Sequence, residues 1–303
     1  MAKTTYIGVA DKAEKVKKIY IGVDGVARKV KAAYIGVNGV AKKIFASGVA
    51  EMAITYTGKY TDKIVTMGDG LQYRLLTLTS SGNLTLGDAC DNVGVWLCSG
   101  GAKGGDTSSR GAGNGGMGGE FGSSTYSNLL TAVVTIAAGG NSSSGGGGGF
   151  SDFRPNGQID NSFTLKEGAK GGTGATMYNY GRGGAASLES TQPFKDSYFT
   201  SYPCAGGGGG SGYNNGARYK GGGGGSSLGR GEDGNSGTGS AAGGITGGGK
   251  GGDATGSSAS EKAGHNATYY GSGGGGGAIR YAETHNGGNG YQGVVFVRIP
   301  LNQ

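Results

Sequence analysis

The distribution of glycine constrains this chain more than any other feature. Of its 74 glycines, 62 fall between Gly100 and Gly293, in runs such as Gly145 to Gly149, Gly206 to Gly210, Gly221 to Gly225 and Gly273 to Gly277. A glycine buries almost nothing and costs roughly 0.5–1 kcal/mol more than alanine on ordering, so an ordinary side-chain core is hard to build there. Two readings compete: a disordered low-complexity tail, and a fold in which backbone packs directly on backbone. Collagen is excluded, because the five-glycine runs break any strict Gly-X-Y period and four prolines are too few. The ordered reading predicts a glycine-rich bundle of extended left-handed helices, a polyglycine II-type counterpart of polyproline II. Each helix would turn its amides and carbonyls outward and satisfy its neighbours laterally. Interspersed residues would face the bundle surface or form the turns.

Charge divides the chain at another place. The first 50 residues hold ten Lys or Arg against Asp11, Glu14 and Asp24, while the 17 basic and 17 acidic residues beyond them cancel, so the whole net charge of +7 lies in the N-terminal segment. Such a segment can contact nucleic acid or a membrane surface. A lysine-rich face on small hairpins is more simply solvated, and the expectation is no nucleic acid partner and no membrane insertion. Cys90, Cys98 and Cys204 are odd in number and lack C-x-x-C spacing, which points to neither a disulfide framework nor a metal site. They read as small buried residues. The start Met-Ala-Lys-Thr-Thr has no apolar stretch of a secretory signal, and no run approaches a membrane helix. The expectation is a protein that stays in the cell that makes it or leaves as part of something larger.

Residues 1–50 carry a repeat, visible as Tyr6-Ile7-Gly8-Val9, Tyr20-Ile21-Gly22-Val23 and Tyr34-Ile35-Gly36-Val37. In the second and third copies Asp24-Gly25 and Asn38-Gly39 follow, strong signals for two-residue hairpin turns. The predicted hairpins join Ile19–Val23 to Val26–Val30 and Ala33–Val37 to Val40–Ile44. The first copy has Ala10-Asp11 at the turn and looks degenerate, with an amphipathic helix over Lys12–Lys18 as the alternative. Residues 51–98 form a β platform, with strands expected at Gln72–Thr79, Asn83–Leu86 and Val93–Cys98. Leu129–Ala138 and Gly293–Ile299 could join it. The glycine-rich domain, 99–303, would then return to the platform through 293–299. The fold class is thus all-β and irregular: hairpin repeats, a small platform and the glycine bundle with aromatic loops.

Three stretches resemble a known family. They are Tyr73-Arg74-Leu75-Leu76-Thr77-Leu78-Thr79-Ser80-Ser81-Gly82, then Val95-Trp96-Leu97-Cys98 running into the first glycines, and the closing Gly290-Tyr291-Gln292-Gly293-Val294-Val295-Phe296-Val297-Arg298. With the strand before Ala137-Ala138-Gly139-Gly140 they are similar to the glycine-rich domain of bacteriophage tail and receptor-binding proteins, relatives of polyglycine-helix adhesins at fibre tips. The Tyr-Ile-Gly-Val repeats resemble modules of phage structural proteins. The resemblance implies a virion location, at the tail or tail tip after synthesis in the host cytoplasm, and a non-enzymatic adhesin that presents variable loops to a host cell-surface receptor. It also implies docking on other virion tail proteins through the N-terminal repeats, for which Tyr6, Tyr20, Tyr34, Arg28, Lys29, Lys42 and Lys43 are the candidates. Two assemblies stay open, a homotrimer as in many tail fibres and a glycine scaffold satisfied within one chain. A purely architectural role without a receptor is the alternative function. Phe150 to Cys204 departs from the family in its aromatics and its lack of polyglycine.

Motifs of enzyme chemistry are accidents of composition. Gly111-Ala112-Gly113-Asn114-Gly115-Gly116 satisfies G-x-G-x-x-G without the flanking strand and helix that dinucleotide binding needs. Gly244 to Lys250 approaches a phosphate loop, but Gly251 stands where a hydroxyl should hold magnesium. Gly225-Ser226-Ser227-Leu228-Gly229 has no helix-forming run after it to make a nucleophile elbow. His265 and His285 lack partners at ligand spacing and read as loop residues. No catalytic residue, cofactor or metal is expected. The aromatic residues carry a better signal, since tyrosine offers a flat apolar face and a hydroxyl at low entropic cost, and sugars stack on such faces. The receptor-binding candidates are Tyr178, Tyr180 and Arg182, then Tyr198, Phe199 and Tyr202. Tyr213, Arg218 and Tyr219 follow, with Tyr269 and Tyr270. About half of these rings are expected to pack inward on the glycine scaffold.

Overall fold

Turn chemistry makes hairpins of the N-terminal repeats. The computed structural model describes the paired strands within residues 6–46, together with 52–107, 112–141, 147–156, 192–201, 203–204, 212–214, 217–219, 247–252, 262–280 and 285–301. Strand β1 (Tyr6–Val9) pairs with β2 (Lys12–Lys15), β3 (Tyr20–Val23) with β4 (Val26–Lys29), and β5 (Ala32–Val37) with β6 (Val40–Ala46), all antiparallel. Val23 faces Val26 and Val37 faces Val40 across the ladders, the register expected for hairpins whose strands are separated by the Asp-Gly and Asn-Gly dipeptides. The degenerate first copy is a hairpin too, and Lys12–Lys15 is a strand where a helix was the alternative.

Two antiparallel sheets follow. The strands are β7 (Ile54–Tyr56), β8 (Tyr60–Thr66), β9 (Gln72–Leu78), β10 (Gly82–Cys90), β11 (Val93–Cys98), β12 (Phe121–Tyr126), β13 (Leu129–Thr135) and β14 (Asp152–Pro155), with β18 (Val294–Pro300) closing the series. One sheet has the order β14-β13-β10-β7 and the other β12-β11-β18-β9-β8. Between them lies an apolar core. Leu84, Leu86, Leu129, Val134 and Phe153 come from the four-stranded sheet; Leu76, Leu78, Val93, Val95, Leu97, Val295, Val297 and Ile299 come from the five-stranded one. Each fully buried side chain of this kind contributes about 1.5–3 kcal/mol. The β10–β13 ladder slips register between Thr85 and Cys90, a bulge that bends β10.

Strands β11 and β18 are apolar on both faces because both of their faces are covered. Val93, Val95 and Leu97 point into the sandwich, while Trp96 and Cys98 point outward into a second cluster with Val65, Tyr73, Leu75, Phe199, Cys204, Val294 and Phe296. This explains the near-continuous run Val294-Val295-Phe296-Val297, which would be wrong for a strand with one solvated face. Cys98 faces Val294 in the β11–β18 ladder, so the chain leaves for the glycine-rich region and returns from it on neighbouring strands.

Sequence reasoning finds β9, β11 and β18 almost residue for residue, and begins β10 correctly but ends it short. It lets β13 join the platform strands, and β13 pairs antiparallel with one of them, β10. It misses β7, β8, β12 and β14. Strand β8 is exposed at every position but one, and β12 reads Phe-Gly-Ser-Ser-Thr-Tyr; both are edge strands with one neighbour, so no apolar alternation marks them.

The glycine-rich domain overturns one expectation. Among the described residues the regular elements are antiparallel and mixed β-sheets with a 3₁₀ turn at Pro193–Lys195, and no polyglycine II-type helical bundle is formed. The described glycine-rich segments belong neither to helices nor to the two sheets. They are laced by single main-chain bonds between distant segments: Gly104 donates to Gly288 (2.8 Å), Gly116 to Gly274 (2.7 Å), Gly249 to Gly273 (2.9 Å) and Gly275 to His265 (2.9 Å). The physical reason is where the apolar area lies. Alternating side chains at 54–135 and 294–300 drive sheet formation, and the glycine segments fill the remaining space by satisfying backbone groups. A small sheet β16-β15-β17, built from β15 (Gly212–Asn214), β16 (Ala217–Tyr219) and β17 (Ile279–Arg280), completes the described structure.

Candidate functional site

The outer face of the five-stranded sheet carries the site. Register places Thr61 opposite Thr77 and Thr77 opposite Phe296, while Lys63 lies opposite Leu75 in the next row on the same face. A segment around residues 193–204 crosses this face and seats Phe199 on Phe296, ring centroids 5.0 Å apart at 63°. Tyr198 meets Phe199 edge-on at 5.1 Å. Tyr270 approaches Phe296 at 6.4 Å and 85°, with Tyr269 beside it at 5.1 Å. These residues enclose a groove of about 220 Å³, lined by Thr61, Lys63, Leu75, Thr77, Tyr198, Phe199, Tyr269, Tyr270 and Phe296.

Local contacts fix the crossing segment. The Asp196 carboxylate accepts from the Gly68 and Tyr198 amides, both at 2.9 Å, and so ties the segment to the β8–β9 turn. Phe194 and Lys195 hold φ of 57° and 55°, a left-handed conformation that non-glycine residues adopt only where the surroundings enforce it. The Arg298 guanidinium lies over the Phe194 ring, 4.4 Å from its centroid, and over that of Tyr73 at 5.3 Å, within cation–π reach of both.

Burial, the largest cause for each, raises the pKa of the Tyr269 and Tyr270 phenols, so both stay protonated and offer hydroxyls. Tyr198 is 40% exposed and Phe199 only 7%, so the first presents a face to solvent and the second forms floor. Thr61 and Lys63 are exposed at the edge. Among the described residues the lining holds no carboxylate, cysteine or histidine; its titratable groups are Lys63 and the three tyrosines. Among the described residues no group of three or more His, Cys, Asp or Glu could hold a metal ion, and no helix is long and apolar enough to cross a membrane.

Four sequence candidates, Tyr198, Phe199, Tyr269 and Tyr270, are brought together here. Tyr213 lies on β15, and Arg218 and Tyr219 on β16, where Tyr213 pairs with Arg218. Tyr178, Tyr180, Arg182 and Tyr202 lie outside the described residues. Of the docking candidates, Tyr6, Tyr20 and Tyr34 lie on β1, β3 and β5, Arg28 and Lys29 on β4, and Lys42 and Lys43 on β6. Sequence reasoning missed Thr61, Lys63, Leu75, Thr77 and Phe296. Only strand register places them together, and β8 itself left no pattern. In the first of the enzyme-like motifs, the Gly113 and Gly116 amides donate to the Gly277 and Gly274 carbonyls. Residues 225–229 lie outside the described residues.

The domain boundaries decide the family. Residues 77–300, from within β9 to the last residue of β18, match the glycine-rich domain family. This chain belongs to that family. No curated protein matches it. The glycine-rich domain thus includes most of both sheets together with the glycine segments, and the three N-terminal hairpins precede it. The family's description names a glycine-rich domain and says nothing of a virion.

Proposed function

We propose that this glycine-rich protein is a non-enzymatic adhesin of a bacteriophage or phage-like tail, which binds a cell-surface glycan of its host in the aromatic groove. The observation that carries this reading is the convergence of Tyr198, Tyr269 and Tyr270 over the Phe199–Phe296 floor, with Lys63, Thr61 and Thr77 at the rim. Aromatic faces ringed by hydroxyls and one ammonium suit a sugar, whose C–H faces stack and whose hydroxyls need polar partners. At about 220 Å³ the groove is smaller than the roughly 300–1,000 Å³ of pockets for drug-sized ligands, which favours one sugar unit of a longer chain. The virion setting rests on the sequence resemblance to phage tail proteins. In that setting the basic N-terminal hairpins attach the chain to other tail proteins and the groove faces outward.

The test is binding of the purified full chain to a panel of bacterial strains and to their isolated surface polysaccharides. Tyr198→Ala and Lys63→Ala, at exposed positions, should each weaken binding on the order of tenfold or more without changing the fold, as removal of a central aromatic or charged contact does. Undiminished affinity in both variants would remove the groove from recognition. Failure of the parent chain to bind any strain would leave the architectural role, a fibre or collar component without a receptor.

A further inference from the structure

Two of the three cysteines meet. Cys98 ends β11 on the outer face of the five-stranded sheet, and Cys204 lies in the segment that crosses that face, roughly a hundred residues later in the chain. Both side chains belong to one buried cluster, and a Cβ placed on Gly271 would lie 2.9 Å from each of the two sulfurs. The backbone holds this geometry from three sides. Cys204 has a φ of 67° and donates its amide to the Tyr270 carbonyl at 2.9 Å; Gly271 has a φ of 66° and donates to Gln292 at 2.8 Å; Cys98 is fixed in the ladder opposite Val294. Both cysteines are buried, at 0% and 1% exposure.

We propose that Cys98 and Cys204 form a disulfide when the protein meets an oxidising environment, a covalent staple between the sheet and the segment that walls the groove. With glutathione disulfide as oxidant, one cysteine thiolate attacks a glutathione sulfur and expels glutathione thiolate, which leaves a protein–glutathione mixed disulfide. The other cysteine thiolate then attacks the protein sulfur and expels the second glutathione. The protein loses two electrons and two protons, and glutathione disulfide is reduced to two thiols. Burial raises the pKa of the Cys204 thiol and keeps it neutral in the closed fold, so exchange proceeds while the chain closes or when the segment lifts. The consequence reaches the groove. Tyr198 and Phe199 lie a few residues before Cys204, and Tyr270 accepts from its amide, so the bond would hold both aromatic walls on Phe296.

Cys90 serves as the internal control. It is buried in the other core, inside the sandwich, with its sulfur 3.6 Å from the Met52 sulfur. The full chain, incubated with glutathione disulfide, denatured and alkylated, should therefore show one reactive thiol, on Cys90, where the reduced chain shows three. A non-reducing peptide map should join the Cys98 and Cys204 peptides with a mass about 2 Da below their sum. Reductant should lower the thermal midpoint of the oxidised protein on the order of 5–15 °C, the shift for a native disulfide closing a long loop. A Cys204→Ser variant should show no such shift; should it fail to fold, the map of the parent chain decides alone. Three alkylated thiols after oxidation, or Cys90 in the linked peptide, would overturn the proposal.

Discussion

At the scale of single residues, glycine matters here for the space its missing side chain leaves, and that space differs sharply between positions. A Cβ on Gly275 would overlap the Lys250 carbonyl, which is backbone and cannot move aside as a flexible side chain would. The Gly275 amide also donates to His265 and its carbonyl accepts from Gly288, so any displacement breaks buried main-chain bonds. Gly149 sits in the same glycine-rich domain, but the nearest atom to its Cβ position is 3.6 Å away, an ordinary contact. Gly275→Ala should therefore destabilise the protein by about 3 kcal/mol or more, combining overpacking with lost hydrogen bonds. Gly149→Ala should stay within about 1 kcal/mol of the parent, and could gain stability through the less flexible unfolded chain. Urea unfolding of the two variants checks the contrast. Equal effects would mean that glycine serves here only as a flexible spacer.

At the scale of elements, legibility followed the number of buried faces. The hairpins were readable because turn dipeptides and strand repeats agree, and β9, β11 and β18 because their apolar residues are dense. The edge strands β8 and β12 were not, since an element held by one neighbour and solvated on its other side needs little apolar signal. The centre of the five-stranded sheet is correspondingly sensitive. Strand β18 pairs with β9 on one side and β11 on the other, and Val297 is fully buried between the sheets. Val297→Ala should cost about 2 kcal/mol or more through the cavity it leaves. Val133→Ala, on β13 but 45% exposed, should cost less than about 0.5 kcal/mol. Trp96, the single tryptophan, lies on β11 with its ring 5.8 Å from Phe296 of β18, so its fluorescence reports the unfolding of this sheet directly.

At the scale of the whole molecule, composition announced that backbone would pack on backbone but misjudged the form. Glycine density suggested a helical bundle anchored at both ends on a β platform, because one chain's letters do not show which distant carbonyl each amide will find. The anchoring agrees with the structure, where paired strands β11 and β18 of a sandwich with an ordinary apolar core bring both ends of the region together; the helical form does not. The groove shows the same limit: its aromatic walls were readable as tyrosine clusters, while its floor and cationic rim needed strand register. Main-chain lacing across such an arrangement makes a measurable claim. Gly104, Gly116, Gly249, Gly274, Gly275 and Gly288 donate at 2.7–3.0 Å to carbonyls of other segments. Such amides open only when the segments separate, and with few side chains to hold them the segments separate together with the sheets that fix their ends. Hydrogen exchange at these six amides should be slowed on the order of a thousandfold or more relative to unstructured chain. The protection should fall in step with that of β11 when Val297→Ala weakens the core. Fast exchange at the glycines alongside a protected β11 would show that the sandwich folds without them, and that their order contributes nothing to holding the groove.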